Sequence, residues 1–81
     1  MHELSIAVNI VEIAEEELAR HGGERILAVH VQLGRLAGVA KEALMFSFSL
    51  ACEGTVAERA RLVIEDSEGH DLDVVRMEIE P

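Results

Sequence analysis

The chain of 81 residues carries seven basic against sixteen acidic side chains, a net charge of −9, and its only aromatics are two Phe. Such a surface repels a phosphate backbone and an anionic bilayer alike, so neither a nucleic acid nor a membrane is expected as a partner. A single cysteine, Cys52, leaves no intramolecular disulfide and no cysteine-pair zinc site.

One small domain over residues 1–81 is expected, burying about 60–65% of its surface around an aliphatic core. The opening MHELSIAVNIVEIAEEE lacks a basic lead. Glu12, Glu15, Glu16 and Glu17 interrupt its apolar run, so it reads as neither a signal peptide nor a membrane span, and a cytoplasmic protein is expected.

The first segment has helical period. Leu4, Ala7, Val8, Val11, Ala14 and Leu18 recur at spacings of three and four, and Ile6, Ile10 and Ile13 widen that face. Glu3 suits the positive end of the helix dipole, Arg20 and His21 suit its last turn, and Gly22-Gly23 stops it. Arg25–Leu33 alternates as a half-buried strand, with Leu27, Val29, Val31 and Leu33 on one face and Ala28, His30 and Gln32 on the other. A short loop between Gly34 and Gly38 leads to a second helix from Val39 to about Glu53, closed by Gly54. Its apolar positions are Leu44, Phe48 and Ala51, with Ala43, Phe46 and Leu50 beside them. Met45 and Met77 fit core positions, and Cys52 reads as a small apolar residue of the helix.

A second strand is predicted over Ala60–Asp66, a turn over Ser67–His70, and a third strand over Leu72–Glu80. In that last strand Leu72 and Val74 share one face while Val75, Met77 and Ile79 share the other. Strand side chains alternate strictly, so a bulge is required at Val74-Val75. The order helix, strand, helix, strand, strand predicts an α+β two-layer sandwich, with two helices on one face of a three-stranded sheet.

No nucleophile–base set, P-loop or dinucleotide motif is present, so an enzyme is not expected. Met1-His2-Glu3 is the one constellation with chemistry. The α-amine, the following amide nitrogen and the His2 imidazole can close adjoining chelate rings, with a fourth donor from Glu3 or elsewhere. Nitrogen and oxygen donors near a plane suit Ni(II) or Cu(II), whereas zinc prefers a tetrahedron. Met1 is expected to stay in place, since trimming enzymes favour small second residues. A His at position 2 is also compatible with an incidental terminal residue, so the three residues permit a site without demanding one. His21 reads as a helix C-terminal cation, His30 as a strand residue either solvated or packed, and His70 as an exposed turn residue.

Three motifs occur together: MHELSIA at the start, LGRLAGV over Leu33–Val39, and GTVAE over Gly54–Glu58. With the intervening sequence they resemble the nickel-binding domain of the HypA/HybF family over about residues 1–66, and the similarity resumes at GHDLDVV and RMEIEP. The resemblance implies a nickel metallochaperone of [NiFe]-hydrogenase maturation that holds Ni(II) at the amine of Met1, at His2 and at Glu3. A HypB-type GTPase and the hydrogenase large subunit are the partners it implies. That family carries a zinc domain with two Cys-x-x-Cys pairs between its second and third strands. Here Asp66-Ser67 runs almost directly into Glu68–Asp71 and those cysteines are missing, so an insertion is expected to be absent near residues 66–70. Excision there is simple if the flanking strands are antiparallel neighbours. A different class of function also fits the residues: a protein-interaction or dimerisation module that keeps the fold without metal delivery.

Overall fold

A computed structural model describes residues 2–81. The elements follow the expected order: α1 (Glu3–His21), β1 (Arg25–Gly34), α2 (Lys41–Cys52), β2 (Arg61–Ser67) and β3 (Leu72–Glu80). The three strands form one mixed sheet in the order β2-β1-β3, with β2 parallel and β3 antiparallel to β1.

Both helices lie on one face of this sheet. The buried stripe of α1 is Ala7, Ile10, Val11, Ala14 and Leu18, which meets Ile26, Val29 and Val31 of β1 and Leu44, Phe48 and Cys52 of α2. Ala7 and Ala14 present only methyl groups, so α1 approaches its neighbours closely. A narrow stripe then suffices, and Leu4, Val8 and Ile13, expected on the apolar face, are exposed instead. Gly22 ends α1 in the left-handed region, at φ 75°, with its N–H on the Leu18 carbonyl at 2.9 Å.

The second helix is shorter than its pattern. Gly38 at φ 73° turns the chain, Val39 and Ala40 run extended, and the helix begins only at Lys41. Val39 still packs on the core, and its apolar character mimics one more helical turn. Phe46 and Met45, expected to face the core, are 68% and 47% exposed. The Leu44–Phe48–Cys52 line is buried, and Ala51 packs beside it, half-buried.

The bulge expected in β3 is present. His30 pairs with Arg76 and Val31 with Val74, which leaves Val75 as the extra residue. A second irregularity in β1, between Ile26 and Ala28, leaves no mark on the alternation. It turns Leu27, expected on the core face, out to solvent, and Ile26 takes the buried place.

The predicted turn between β2 and β3 does not join neighbours, because β1 lies between the two strands. Residues 68–71 cross the end of β1, held by Gly34 N–H to Asp71 O (2.8 Å), Arg35 N–H to Ser67 O (2.9 Å) and Leu36 N–H to Gly69 O (2.8 Å). A Cβ on Gly34 would lie 2.5 Å from Gly69 O, so this crossing needs glycine at position 34.

Side chains link the outer strands across the open face of the sheet as well. Arg61 of β2 reaches Glu78 of β3 at 3.2 Å above the fully buried Ala28, and Arg76 of β3 reaches Glu65 of β2 at 2.9 Å. Between them the His30 Nε2–H donates to Glu78 (2.8 Å), and its Nδ1 accepts from Arg76 (3.3 Å). His30 is thus packed with its ring satisfied. The His30 hydrogen bond, with help from Arg61 and Arg76, holds the Glu78 carboxyl below its ordinary range against a smaller opposing effect of burial.

Candidate metal centre at the amino terminus

The start of α1 leaves backbone donors without helical acceptors. The first intrahelical bond runs from Ile6 N–H to the His2 carbonyl at 3.1 Å, and Ser5 Oγ donates to the same carbonyl at 3.0 Å. The amide nitrogens of His2 and Glu3 precede that bond, so an ion could take the His2 amide without breaking a helical hydrogen bond. The positive end of the helix dipole favours an amide nitrogen that has lost its proton, and it opposes a bare cation. A carboxylate nearby offsets the second effect.

Glu3 supplies that carboxylate. Its side chain is only 11% exposed, and its Oε2 lies 4.0 Å from His2 Nε2, while the His2 ring is 55% exposed. The same oxygen accepts the Ala40 N–H at 3.2 Å. This bond, then one from its own backbone N–H, holds the Glu3 carboxyl below the ordinary value of 4.5; desolvation works against them and the neighbouring His2 assists. Glu3 is therefore a carboxylate at neutral pH.

Sequence reasoning missed this contact of Glu3 with the second helix. Ala40 caps α2 without a side-chain hydrogen bond, and Glu3 reaches from the other helix to the cap's own N–H, as the glutamate of a capping box does within one helix. An uncapped Ala at a helix start was the available signal. The Glu3–Ala40 bond ties the start of α1 to the 35–40 loop, which is bonded in turn to the 67–71 crossing.

Met1, the remaining expected ligand, lies outside the described residues. Among the described residues no group of three or more His, Cys, Asp or Glu side chains is arranged to hold a metal. A chelate built largely from main-chain nitrogens does not need one. The other candidates are engaged elsewhere: His21 faces Glu17 at 3.7 Å, His30 sits in the sheet network, and His70 is exposed on the crossing. Cys52 is buried among apolar groups, and that desolvation pushes its thiol up to about 11, which leaves no thiolate for a metal near neutrality.

The sequence model of a family described as "Hydrogenase/urease nickel incorporation, metallochaperone, hypA" matches residues 1–72. The chain belongs to the HypA family. A hydrogenase maturation factor HypA from Chloroflexus aurantiacus is 56% identical over 66 residues, covering 82% of this chain and 58% of the relative. One from Roseiflexus is 54% identical over 66 residues, with 82% and 54% covered, and one from Chlorobaculum tepidum is 48% identical over 69, with 85% and 61% covered. The chain thus spans little more than half the length of the curated relatives it matches. The solution structure of the Ni metallochaperone HypA from Helicobacter pylori superposes with a TM-score of 0.88 at 17% identity, over 99% of this chain and 98% of that one. At that identity the likeness speaks for the HypA fold alone, and the two helices and mixed three-stranded sheet agree with it. No described helix is long and apolar enough to cross a membrane.

Proposed function

We propose that this chain is a nickel-carrying HypA-type domain that takes up Ni(II) at Met1, His2 and Glu3 and hands it on during hydrogenase maturation. The observation that carries the reading is the family match over residues 1–72, which includes the Met-His-Glu start, on a helix whose first amides have no helical acceptors. The amine of Met1, the His2 amide and the exposed His2 imidazole supply three nitrogens, and Glu3 neutralises the ion from beside them. Delivery is ligand exchange rather than catalysis, so the chain is not an enzyme. A site on the outside of a helix start can be approached by an acceptor's ligand while the original donors are leaving. Uptake weakens in acid, because the amine and imidazole must lose protons before they bind.

A HypB-type GTPase and the hydrogenase large subunit are the proposed partners, and the cytoplasm the proposed compartment. With Cys52 as its one cysteine, buried and protonated, the chain supplies no pair of thiolates for the family's zinc site. The crossing at residues 68–71 is proposed to occupy the place that the zinc lobe takes in the family.

Calorimetric titration with Ni(II) near pH 7 tests this on the native chain, a His2→Ala variant and a form with one Gly added before Met1. One tight site, lost in both altered forms, is the expected result. Equal binding by all three, or by none, removes the N-terminal site and favours a protein-interaction role for the domain.

A further inference from the structure

The sheet face turned away from the helices carries a connected set of charges, and the bulge in β3 is what assembles it. On that face Ala28, His30 and Gln32 of β1 stand beside Arg61, Val63 and Glu65 of β2 and beside Glu78, Arg76 and Asp73 of β3. Without the extra residue at Val75, Arg76 and Glu78 would fall on the helix face with Val74. The bulge therefore re-aims both toward His30. Arg61 reaches Glu78 across the row of Ala28, where a methyl group leaves room, and Arg76 reaches Glu65 past the His30 ring. That ring, only 12% exposed, sits between the two pairs.

The geometry fixes the state of each ring nitrogen. Nε2 lies 2.8 Å from the Glu78 carboxylate, which only accepts, so Nε2 carries the proton and Nδ1 a lone pair. Arg76 donates to that lone pair at 3.3 Å, while Glu65 Oε2 stands 3.7 Å from the same nitrogen, beyond hydrogen-bond range. We propose that His30 is a proton-operated clasp: a neutral ring holds Arg76 of β3, and a protonated ring exchanges it for Glu65 of β2. A protonated Nδ1 has no lone pair left, so it meets the guanidinium donor against donor and charge against like charge. Glu65, already bonded to Arg76 at 2.9 Å, is the acceptor at hand and closes from 3.7 Å.

The charged groups that face the ring are Arg61 and Glu65 from β2 and Arg76 and Glu78 from β3, with Asp73 one row beyond. The two arginines and two glutamates cancel, so a proton on the ring leaves these five side chains with a net positive charge. Imidazole changes charge in a range where carboxylates and guanidinium groups keep theirs, so the ring is the part that moves. Arg76 directly follows the bulged Val75, and its departure removes the side-chain tie beside the bulge. The open edge of β3 then loosens in acid. The clasp lies within β1, β2 and β3 and does not depend on the nickel reading.

Nitrogen-15 spectra of the labelled, metal-free whole chain, taken from about pH 8 down to about pH 5, test the clasp. At the start the His30 ring should show the Nε2–H tautomer. On acidification the Arg76 guanidinium and the Val75 amide should shift with the midpoint of the His30 ring, while Arg35, paired with Glu68 elsewhere, holds still. His30→Gln keeps a donor for Glu78 and an acceptor for Arg76 but takes no proton, so its Arg76 signal should stay flat over the same range. Glu65→Gln removes the carboxylate that receives the new bond, and the proton affinity of the ring should fall roughly two- to fivefold, as for loss of a surface ion pair. Circular dichroism checks that both variants fold. The proposal is overturned by an Arg76 signal that ignores the His30 midpoint or still titrates in His30→Gln. An unchanged proton affinity in Glu65→Gln, a ring that starts as the Nδ1–H tautomer, or one that stays neutral until the chain unfolds overturns it equally.

Discussion

The backbone approaches itself most tightly at a glycine where the 67–71 crossing passes the end of β1, and Gly34→Ala probes that contact. The added methyl would sit 2.5 Å from Gly69 O, 2.7 Å from Gly69 C and 3.0 Å from Asp71 O. All three are main-chain atoms, so no side chain can swing aside and the crossing itself must move. Three backbone hydrogen bonds hold it there, at Gly34, Arg35 and Leu36. At about 0.5–1.5 kcal/mol net for each, their loss costs roughly 1.5–4.5 kcal/mol. The stiffer unfolded chain returns about 0.4–1 kcal/mol, which leaves a net loss of about 0.5–4 kcal/mol. A domain of this size loses about 4–8 °C of Tm per kcal/mol, so the melt should fall by at least about 2 °C. Urea unfolding followed by far-ultraviolet circular dichroism gives the same quantity at 25 °C. Gly38→Ala is the control, since its Cβ meets nothing within 4 Å and only its φ of 73° opposes the change. If Gly34→Ala unfolds within about 0.5 kcal/mol of the native chain, the crossing is looser than its geometry and its role as a fixed bridge fails.

The two Phe residues give a sharp contrast: Phe48→Ala should cost about 3–5 kcal/mol in urea unfolding, whereas Phe46→Ala should stay within about 0.5 kcal/mol for the monomer. The Glu3 and Glu78 carboxyls are both held below their ordinary value of 4.5, so the folded state binds fewer protons than the unfolded one. Their contribution is complete above that value and is lost as pH falls through the lower folded-state values. Acid titrations of Glu3→Gln and Glu78→Gln should therefore show a shallower loss of stability below about pH 4.5 than the native chain. Cys52, with its thiol near 11 and buried, should react with a thiol reagent at pH 8 only as fast as the chain opens, and denaturant should release that reaction.

Element order and type were legible because each segment carries one unmixed period. The bulge at Val75 was legible because strict alternation cannot place Leu72 and Val74 on the same core face as Met77 and Ile79 without an extra residue, and Val75, expected with Met77 and Ile79, is that residue and is exposed. The bulge at Leu27 was hidden. Ile26, Leu27, Ala28 and Val29 are all apolar, so the alternation reads equally well with either of the first two turned inward. Met45 and Phe46 misled for a related reason, since hydrophobicity records that a side chain avoids water without recording which neighbour covers it. Strand order was closed to sequence reasoning because pairing is non-local. The placement of β1 between β2 and β3 is what makes the short predicted turn a crossing.

His2 and Glu3 are proposed as ligands from their position, and the local geometry of the helix start bears on that proposal. A helix start is the one place in a regular element where consecutive amide nitrogens have no acceptor, so it can offer main-chain donors without loss of its own hydrogen bonds. The same start is electrostatically hostile to a cation, and a carboxylate must stand close to compensate. Glu3 does so while its Oε2 also holds the Ala40 N–H, which fixes its side chain before any ion arrives. A preset carboxylate lowers the ordering cost of binding, and the exposed His2 ring keeps release open. On the proposed site the two residues have separable roles, and their variants should separate. His2→Ala should abolish tight Ni(II) binding with little change in the melt. Glu3→Gln should weaken binding and lower the melt together, because it touches both the ion and the start of α2. A Glu3→Gln variant that binds nickel fully yet melts early would make Glu3 a helix clamp alone and leave the fourth ligand to another group.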